Sequence, residues 1–343
     1  MSRRTFLAGT AGVLYGVTLG SAYPAWAKEA GLDSLSGRVM GTYYRIVFPQ
    51  GLGFDDGLQL NVLGTLAEVD RLMSTYKANS EVSLFNDAAP NSPVAFSDLT
   101  CKVVEEARRI RDLTEGAFDP TIGPLVNLWG FGPLGGSHKV PSARQVSKTV
   151  GVVGMDGLHL KDGSCWKTTA DLAIDLNGIA KGFAVDRLAT MLDALEVPGY
   201  LIDIGGELRA KGQKPDKSGW RVGIERPEPA ERKVHRVLQL QDQAVATSGD
   251  YRDFFTVAER NYSHVIDPRT ARPVAHTLAS VTVVDRQAMT ADALSTALMV
   301  MGPDEGFEFA QRNGIAASFI LRTEGGLADR HTDTILPWLE KQS

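Results

Sequence analysis

Residues 172–207 read LAIDLNGIAKGFAVDRLATMLDALEVPGYLIDIGGE. A strand-like apolar run at 172–176 leads into Asn177-Gly178, and apolar residues then recur at helical spacing over 179–196. A second apolar run, Tyr200–Ile204, is typical of a strand and ends in the pair Gly205-Gly206. The stretch therefore predicts an amphipathic helix flanked by extended segments.

On both sides of this stretch, helical and strand patterns are interspersed without a regular alternation. The sequence predicts a Gly/Pro-rich loop at 116–142, strands at 38–48, 220–224 and 279–284, and helices at 58–75, 98–115 and from near 290. Because strict βαβ alternation is missing, we predict a mixed α+β fold rather than a doubly wound sheet. No break in composition marks a second domain.

Composition excludes some classes of function. The 343 residues are 43% hydrophobic, which is enough for a sizeable core. The net charge is −5 without a dense Lys/Arg run, which argues against a nucleic-acid partner. Cys101 and Cys165 form no CxxC motif, so zinc and thiol-redox sites are disfavoured. A disulfide between them remains open, although a buried inert thiol is the commoner state.

The N-terminal segment resembles an export signal. Arg3-Arg4 precede an uncharged stretch, Thr5–Ala27, that ends in an A-x-A-like site at 25–27. We expect a cleaved Tat signal at 1–27, a mature domain at 28–343 and a periplasmic location. The alternative is a membrane anchor, but a stretch rich in Gly, Ala and Thr that contains Pro24 makes a poor spanning helix.

Two segments suit phosphate and metal chemistry. The helix that follows Asp175 offers free N–H groups to an anion, and Lys181 in its first turn calls for a compensating negative charge such as phosphate. The alternative is a capped helix with a solvated lysine. Asp292 and Thr296, four residues apart, project from one helical face and offer hard oxygens for Mg²⁺. The alternative is Thr290 as an N-cap with Asp292 as a first-turn acid.

The other candidates are a histidine and an aromatic loop. His264 precedes Asp267 by three residues and could act as a general base, or it could be an ordinary core histidine. The loop at 116–124, with Tyr76 upstream, could hold a flat ring system or be purely structural. Gly205-Gly206 could allow close ligand contact or form a tight turn.

Taken together and in order, these motifs resemble the ApbE family of FAD:protein FMN transferases over about residues 35–340. The motifs that carry the resemblance are Met40-Gly-Thr42, Ser74-Thr-Tyr76, Gly116-Ala-Phe-Asp-Pro-Thr121, Asp175-Leu-Asn-Gly-Ile-Ala-Lys-Gly182, Ile204-Gly-Gly-Glu207, Ser248-Gly-Asp250, His264-Val-Ile-Asp-Pro268 and Thr290-Ala-Asp-Ala-Leu-Ser-Thr296. With the Tat-like segment, the chain is similar to the soluble periplasmic members of the family, which include the NosX type. The implied fold is a single ApbE-like (T-fold-like) domain with interspersed helices and an antiparallel sheet.

The resemblance implies a role for each matching residue. It places the catalytic base at His264 and the Mg²⁺ ligands at Gly178, Asp292 and Thr296. The residues that it places against FAD are Met40, Tyr76, Ala117, Phe118, Asp119, Asp175, Lys181, Gly205, Gly206, Glu207 and Ile266.

The implied reaction moves FMN from FAD to a Thr or Ser hydroxyl of an acceptor flavoprotein, for which a membrane-bound respiratory subunit is one candidate, and releases AMP with the help of Mg²⁺. Two alternatives stay open at this point. One is a Mg²⁺-dependent FAD pyrophosphatase, which would use water in place of the acceptor. The other is a non-catalytic periplasmic protein that binds FAD intact.

Overall fold

The computed structural model describes residues 31–52, 56–134, 139–228, 233–251 and 253–341. The predicted signal segment at 1–27 lies outside the described residues, as does part of the turn-like segment at 226–232. None of the described helices is both long and apolar enough to span a bilayer.

Helices and strands are interspersed along the chain. The helices are α1 Asp56–Met73, α2 Glu81–Asp87, α3 Asp98–Leu113, α4 Gly123–Leu128, α5 Ala143–Val150, α6 Ala180–Ala194, α7 Ala288–Met301 and α8 Glu305–Arg312, with short 3-10 turns at Pro120–Ile122, Met155–Gly157 and Asp333–Trp338. The strands are β1 Leu32–Val39, β2 Thr42–Pro49, β3 Val94–Ala95, β4 Leu158–Lys161, β5 Ser164–Lys167, β6 Tyr200–Ile204, β7 Glu207–Lys211, β8 Trp220–Glu225, β9 Val234–Leu240, β10 Ala244–Gly249, β11 Phe254–Val257, β12 Arg260–Ser263, β13 Ile266–Asp267, β14 Arg272–Pro273, β15 Leu278–Asp285, β16 Ala316–Thr323 and β17 Gly326–His331.

The centre of the molecule is an antiparallel sheet with the strand order β1-β2-β6-β7-β10-β15-β16-β17. Each neighbouring pair in this order is antiparallel. The prediction of a single α+β domain with an antiparallel sheet is confirmed.

Helices cover one face of the sheet and a hairpin covers the other. On the first face, α6 and α7 pack against β6, β7, β10 and β15. Every residue of α7 except Thr296 is buried, as expected for an apolar helix inside a core. On the second face, the β8–β9 hairpin contributes Trp220, Val222 and Leu238 to a separate apolar cluster.

Two elements predicted in the N-terminal half of the chain were wrong in detail. The predicted strand 38–48 is a hairpin, because Met40 and Gly41 both have positive φ, 47° and 73°, and form a two-residue turn between β1 and β2. The predicted loop 116–142 contains a 3-10 turn and α4. Pro120 is the first residue of the 3-10 turn and Pro124 the second residue of α4, both within the first turn, where a proline does not interrupt the hydrogen bonding.

The predicted strand at 172–176 has no regular secondary structure and joins no sheet among the described residues. The side chain of Asn86 takes the place of a neighbouring strand. Its amide donates to the carbonyl oxygen of Ile174 at 2.9 Å and its Oδ1 accepts from the Ile174 N–H at 2.8 Å. A single amide side chain therefore forms the hydrogen bonds of the Ile174 backbone that the apolar pattern predicted for a neighbouring strand.

The two cysteines are free thiols, Cys165 buried and Cys101 partly buried. Burial raises the pKa of the Cys165 thiol to about 12, so this side chain is inert and apolar in character.

The pairing between β7 and β10 is short. Among the described residues these strands share only two residue pairs, Ala244 with Arg209 and Val245 with Leu208. Beyond them, β10 continues to pair with β15 as far as Gly249, while β7 begins at the turn formed by Gly205-Gly206. β10 therefore extends over residues 246–249 beyond its last pair with β7.

Candidate active site

A cleft of about 1110 Å³ lies where the pairing of β7 with β10 ends. The structure brings every residue to which the resemblance assigns a role to the walls of this cleft, from both halves of the chain. They are Met40, Tyr76, Ala117, Phe118, Asp119, Asp175, Gly178, Lys181, Gly205, Gly206, Glu207, His264, Ile266, Asp292 and Thr296.

Lys181 forms a charged cluster with two buried carboxylates at the floor of the cleft. Its Nζ lies 2.6 Å from Oε1 of Glu207 and 3.8 Å from Oδ1 of Asp292. Burial acts to lower the pKa of Lys181, but the carboxylates of Asp292 and Glu207 outweigh this effect and raise it. The sequence suggested phosphate as the compensating anion for this lysine, whereas the structure supplies two carboxylates from elsewhere in the chain.

The N-terminus of α6 holds Asp292 in place. The backbone N–H of Gly182 donates to Oδ2 of Asp292 at 3.0 Å. Burial raises the pKa of Asp292, and the negative charge of the nearby Glu207 raises it further. Lys181 and the hydrogen bond from the Gly182 N–H act in the opposite direction. A Cβ at Gly182 would lie 2.3 Å from the carbonyl oxygen of Ala288, so only glycine lets α6 approach α7 this closely.

The oxygen atoms around this cluster suit a hard cation. In their ionised forms, two carboxylates and one lysine carry one uncompensated negative charge, and Oε2 of Glu207 is buried without a hydrogen-bond partner among the described residues. Thr296 adjoins Gly178, since a Cβ built there would lie 3.2 Å from the threonine Oγ1. Carboxylate, hydroxyl and backbone oxygens are the donors that Mg²⁺ prefers.

Protein side chains alone do not surround such a cation. Within the described ranges, no group of three or more His, Cys, Asp or Glu side chains is arranged to hold a metal ion. A Mg²⁺ ion with few protein ligands commonly completes its coordination with water and with phosphate oxygens of the substrate. The residues present therefore fit Mg²⁺ that binds together with a phosphate-containing substrate.

The imidazole of His264 is held by a backbone carbonyl. Its Nδ1 lies 2.9 Å from the carbonyl oxygen of Asp253, and its own backbone N–H donates to the same oxygen at 3.1 Å. Because a carbonyl oxygen only accepts, Nδ1 carries the proton and Nε2 keeps the lone pair that a general base needs. The sequence pointed to Asp267 as the neighbour of His264, but this carboxylate instead accepts from the Arg269 backbone N–H at 2.8 Å and from its Nε at 3.1 Å.

Two of the predicted acidic residues hold turns in the cleft wall. Asp119 caps the 3-10 turn, and its Oδ1 accepts from the backbone N–H and the hydroxyl of Thr121 at 2.8 and 2.5 Å. Oδ1 of Asp175 accepts from the Asn177 N–H at 2.8 Å. Phe118 is buried in the wall, whereas Tyr76 at the rim is 65% exposed and free to cover a flat ligand.

Sequence reasoning missed two residues beside the glycine turn. Oδ1 of Asp203 accepts from the Gly206 N–H at 3.0 Å, and its Oδ2 accepts from the hydroxyl of Tyr43 at 3.1 Å. Both residues line the cleft. The available signal was a carboxylate inside the otherwise apolar strand β6. Asp253 was missed as well, because its backbone carbonyl leaves no mark in the sequence.

Comparison with known proteins gives one consistent result. The model of the ApbE family matches residues 40–319. The chain is 42% identical over 316 residues to a FAD:protein FMN transferase of Vibrio cholerae, with 92% of this chain and 95% of that protein covered. It is 35% identical over 325 residues to a FAD:protein FMN transferase of Escherichia coli, with 93% and 90% covered.

Solved structures agree with the sequence relatives. The flavin transferase ApbE from Vibrio cholerae has a TM-score of 0.82 and 41% identity, with 90% of this chain and 99% of that chain covered. The apo form of the Pseudomonas stutzeri flavinyl transferase ApbE has a TM-score of 0.83 and 38% identity, with 91% and 98% covered.

Proposed function

Because the chain belongs to the ApbE family, we propose that it is a FAD:protein FMN transferase, which moves the FMN portion of FAD to an acceptor protein. The observation that carries the proposal is the convergence of the Lys181–Glu207–Asp292 cluster, the Gly178–Thr296 contact and His264 in one cleft. This arrangement pairs a phosphate and cation site with a base.

The chain's own residues account for a direct displacement at phosphorus. Nε2 of His264 takes the proton from a Thr or Ser hydroxyl of the acceptor, and the hydroxyl oxygen forms a bond to the FMN phosphorus of FAD. The bond from this phosphorus to the bridging oxygen breaks, and AMP leaves with the electron pair. Lys181 provides fixed positive charge close to the oxygens on which negative charge develops.

Asp292, Thr296 and the backbone carbonyl of Gly178 would hold Mg²⁺ at the pyrophosphate. When bound, the cation would polarise the phosphoryl oxygens and stabilise the leaving AMP. The orphaned Oε2 of Glu207 and the excess negative charge of the cluster support this assignment. For the contacts with FAD, we assign Met40, Tyr76, Ala117, Phe118, Asp119, Asp175, Gly205, Gly206 and Ile266, which line the same cleft.

A direct test is incubation with FAD, Mg²⁺ and a Thr-containing candidate acceptor, followed by intact-mass measurement. We expect a mass increase on the acceptor equal to one FMN phosphoester and release of one AMP for each FMN transferred. Release of AMP and FMN without an acceptor would support the FAD pyrophosphatase instead. Retention of intact FAD under both conditions would support a binding protein and would contradict the proposed transfer.

For location and partner, we propose export by the Tat route and an acceptor on the periplasmic side of the membrane, of which a respiratory subunit is one candidate. The support is the Arg3-Arg4 pair, the uncharged stretch to Ala27 and the A-x-A ending, all in sequence outside the described residues.

A further inference from the structure

We propose that the outer edge of β11 binds the acceptor polypeptide as an added β-strand and so delivers its hydroxyl to His264. The proposal rests on the proposed function and identifies the surface that the second substrate uses. It concerns the small β11–β12 hairpin, which lies beside the cleft and is separate from the central sheet.

The register of the hairpin determines which backbone groups face outward. Val257 and Arg260 flank a two-residue turn and so form the closing pair of the hairpin. In an antiparallel pair, hydrogen-bonded and non-hydrogen-bonded positions alternate. The donation from the His264 N–H to the Asp253 carbonyl marks another hydrogen-bonded pair four residues further along, as this alternation requires.

Phe254 and Thr256 therefore occupy the non-hydrogen-bonded positions of β11, and their N–H and C=O groups point away from β12. Among the described residues, β11 pairs with β12 alone. Two outward residues of an edge strand provide the alternate rungs to which an extended peptide can pair.

The composition of β11 is unusual for an edge. Natural edge strands are commonly protected by charges or proline against pairing with other chains. Residues 254–257 read Phe-Phe-Thr-Val, which has high strand propensity and no charge, and the Phe254 side chain is 41% exposed. The outer edge of β12, on the other side of the hairpin, carries Arg260 and is thus protected by a charge. This difference favours β11 as the docking edge.

The edge leads directly to the proposed base. Asp253 immediately precedes β11, lines the cleft and holds His264 through its carbonyl oxygen. A chain paired with Phe254 and Thr256 advances about 3.3 Å for each residue and reaches the cleft mouth within one or two residues of this pairing. The cleft, at about 1110 Å³, is larger than the roughly 300–1000 Å³ typical of small-molecule pockets, so it has room for an acceptor side chain beside FAD.

Two proline variants test the proposal with an acceptor that the wild-type enzyme modifies. Thr256→Pro removes an outward N–H from β11, and Asn261→Pro removes the equivalent group from β12. Thr256 and Asn261 are cross-strand partners, both are exposed, and each variant loses the same side-chain hydrogen bond of 2.7 Å between them. The inward hydrogen bonds of the hairpin remain in both variants.

We expect Thr256→Pro to raise the KM for the acceptor by about fivefold or more, as the loss of one backbone hydrogen bond implies. The KM for FAD should stay unchanged, and Asn261→Pro should keep the wild-type KM for the acceptor. An unchanged acceptor KM in Thr256→Pro, or an equal rise in Asn261→Pro, would overturn the proposal. Failure of the wild-type enzyme to transfer FMN to any acceptor would instead overturn the proposed function.

A second measurement does not depend on the folding of a variant. Wild-type enzyme is given synthetic acceptor peptides in which one backbone amide at a time is N-methylated. If the acceptor binds as an added strand, N-methylation should reduce transfer at every second position along the peptide beside the hydroxyl residue that receives FMN. Equal tolerance of N-methylation at all positions would contradict binding as a strand.

Discussion

Nζ of Lys181 lies 2.6 Å from Oε1 of Glu207 at the floor of the cleft, although α6 and the start of β7 place these residues 26 positions apart. Glu207 is 3% exposed and Asp292 is equally buried, so the lysine is the charge that stabilises both carboxylates. The Lys181–Glu207 pair therefore contributes both to the stability of the core and to the electrostatic environment of the site.

Replacement of this lysine is expected to destabilise the protein. Lys181→Met leaves two buried carboxylates without their counter-charge, which should lower the free energy of unfolding by at least about 2 kcal/mol. Lys181→Met with Glu207→Gln should recover part of the loss, because one uncompensated charge is removed. Denaturant unfolding of the single and double variants gives the coupling. Additive effects of the two substitutions would show that the pair is energetically unimportant.

The metal ligands are tested by two variants of α7. Asp292→Ala should abolish transfer and Mg²⁺ binding, because it removes the charged ligand, and Thr296→Val should weaken both to a smaller extent. Calorimetric titration with Mg²⁺ in the presence of FAD, together with transfer assays after chelator treatment, measures the two effects. Wild-type transfer by the Asp292→Ala protein would refute the assignment of the site.

His264→Ala should separate catalysis from binding. We expect the turnover number to fall by about 10²–10⁴-fold, the usual contribution of a general base, while FAD affinity stays within a few-fold. Single-turnover transfer and FAD titration provide the two quantities. If FAD affinity is lost while bound FAD is still turned over at the normal rate, His264 is a binding residue.

The close approach of α6 to α7 predicts a large effect from one methyl group. A Cβ at Gly182 would lie 2.3 Å from the Ala288 carbonyl oxygen, so Gly182→Ala should destabilise the protein by roughly 1–3 kcal/mol. Gly64→Ala in α1 is the matched control, because nothing lies within 4 Å of its Cβ, and it should stabilise by about 0.5–1 kcal/mol. Thermal or denaturant unfolding distinguishes the two signs, and destabilisation by both variants would contradict the explanation.

Export is tested by replacing Arg3 and Arg4 with lysine and fractionating the cells. We expect the Lys-Lys protein to accumulate unprocessed in the cytoplasm, and the wild-type protein to begin at Lys28 in the periplasm. Normal periplasmic levels of the variant would rule out dependence on the Tat route. An intact N-terminus in the membrane fraction would indicate an anchor.

The sequence was sufficient for features that depend on neighbours along the chain. Helical periodicity predicted α6 to within two residues, and the mixed order of elements predicted the α+β class. Local composition was less informative where a tertiary contact replaced regular pairing, as at Ile174, whose backbone is held by the Asn86 side chain. Motif order also selected the residues that the structure brings to one cleft.

The tertiary structure alone decided how the site is assembled. The cleft lies where the pairing of β7 with β10 ends, and that position depends on which strands pair over long separations. Glu207 faces Lys181, and the Asp253 carbonyl fixes the proton on Nδ1 of His264, through contacts that no local pattern records. The physical reason is that propensity and periodicity act over a few residues, whereas pairing of distant strands and the direction of a backbone carbonyl are set by packing of the whole chain.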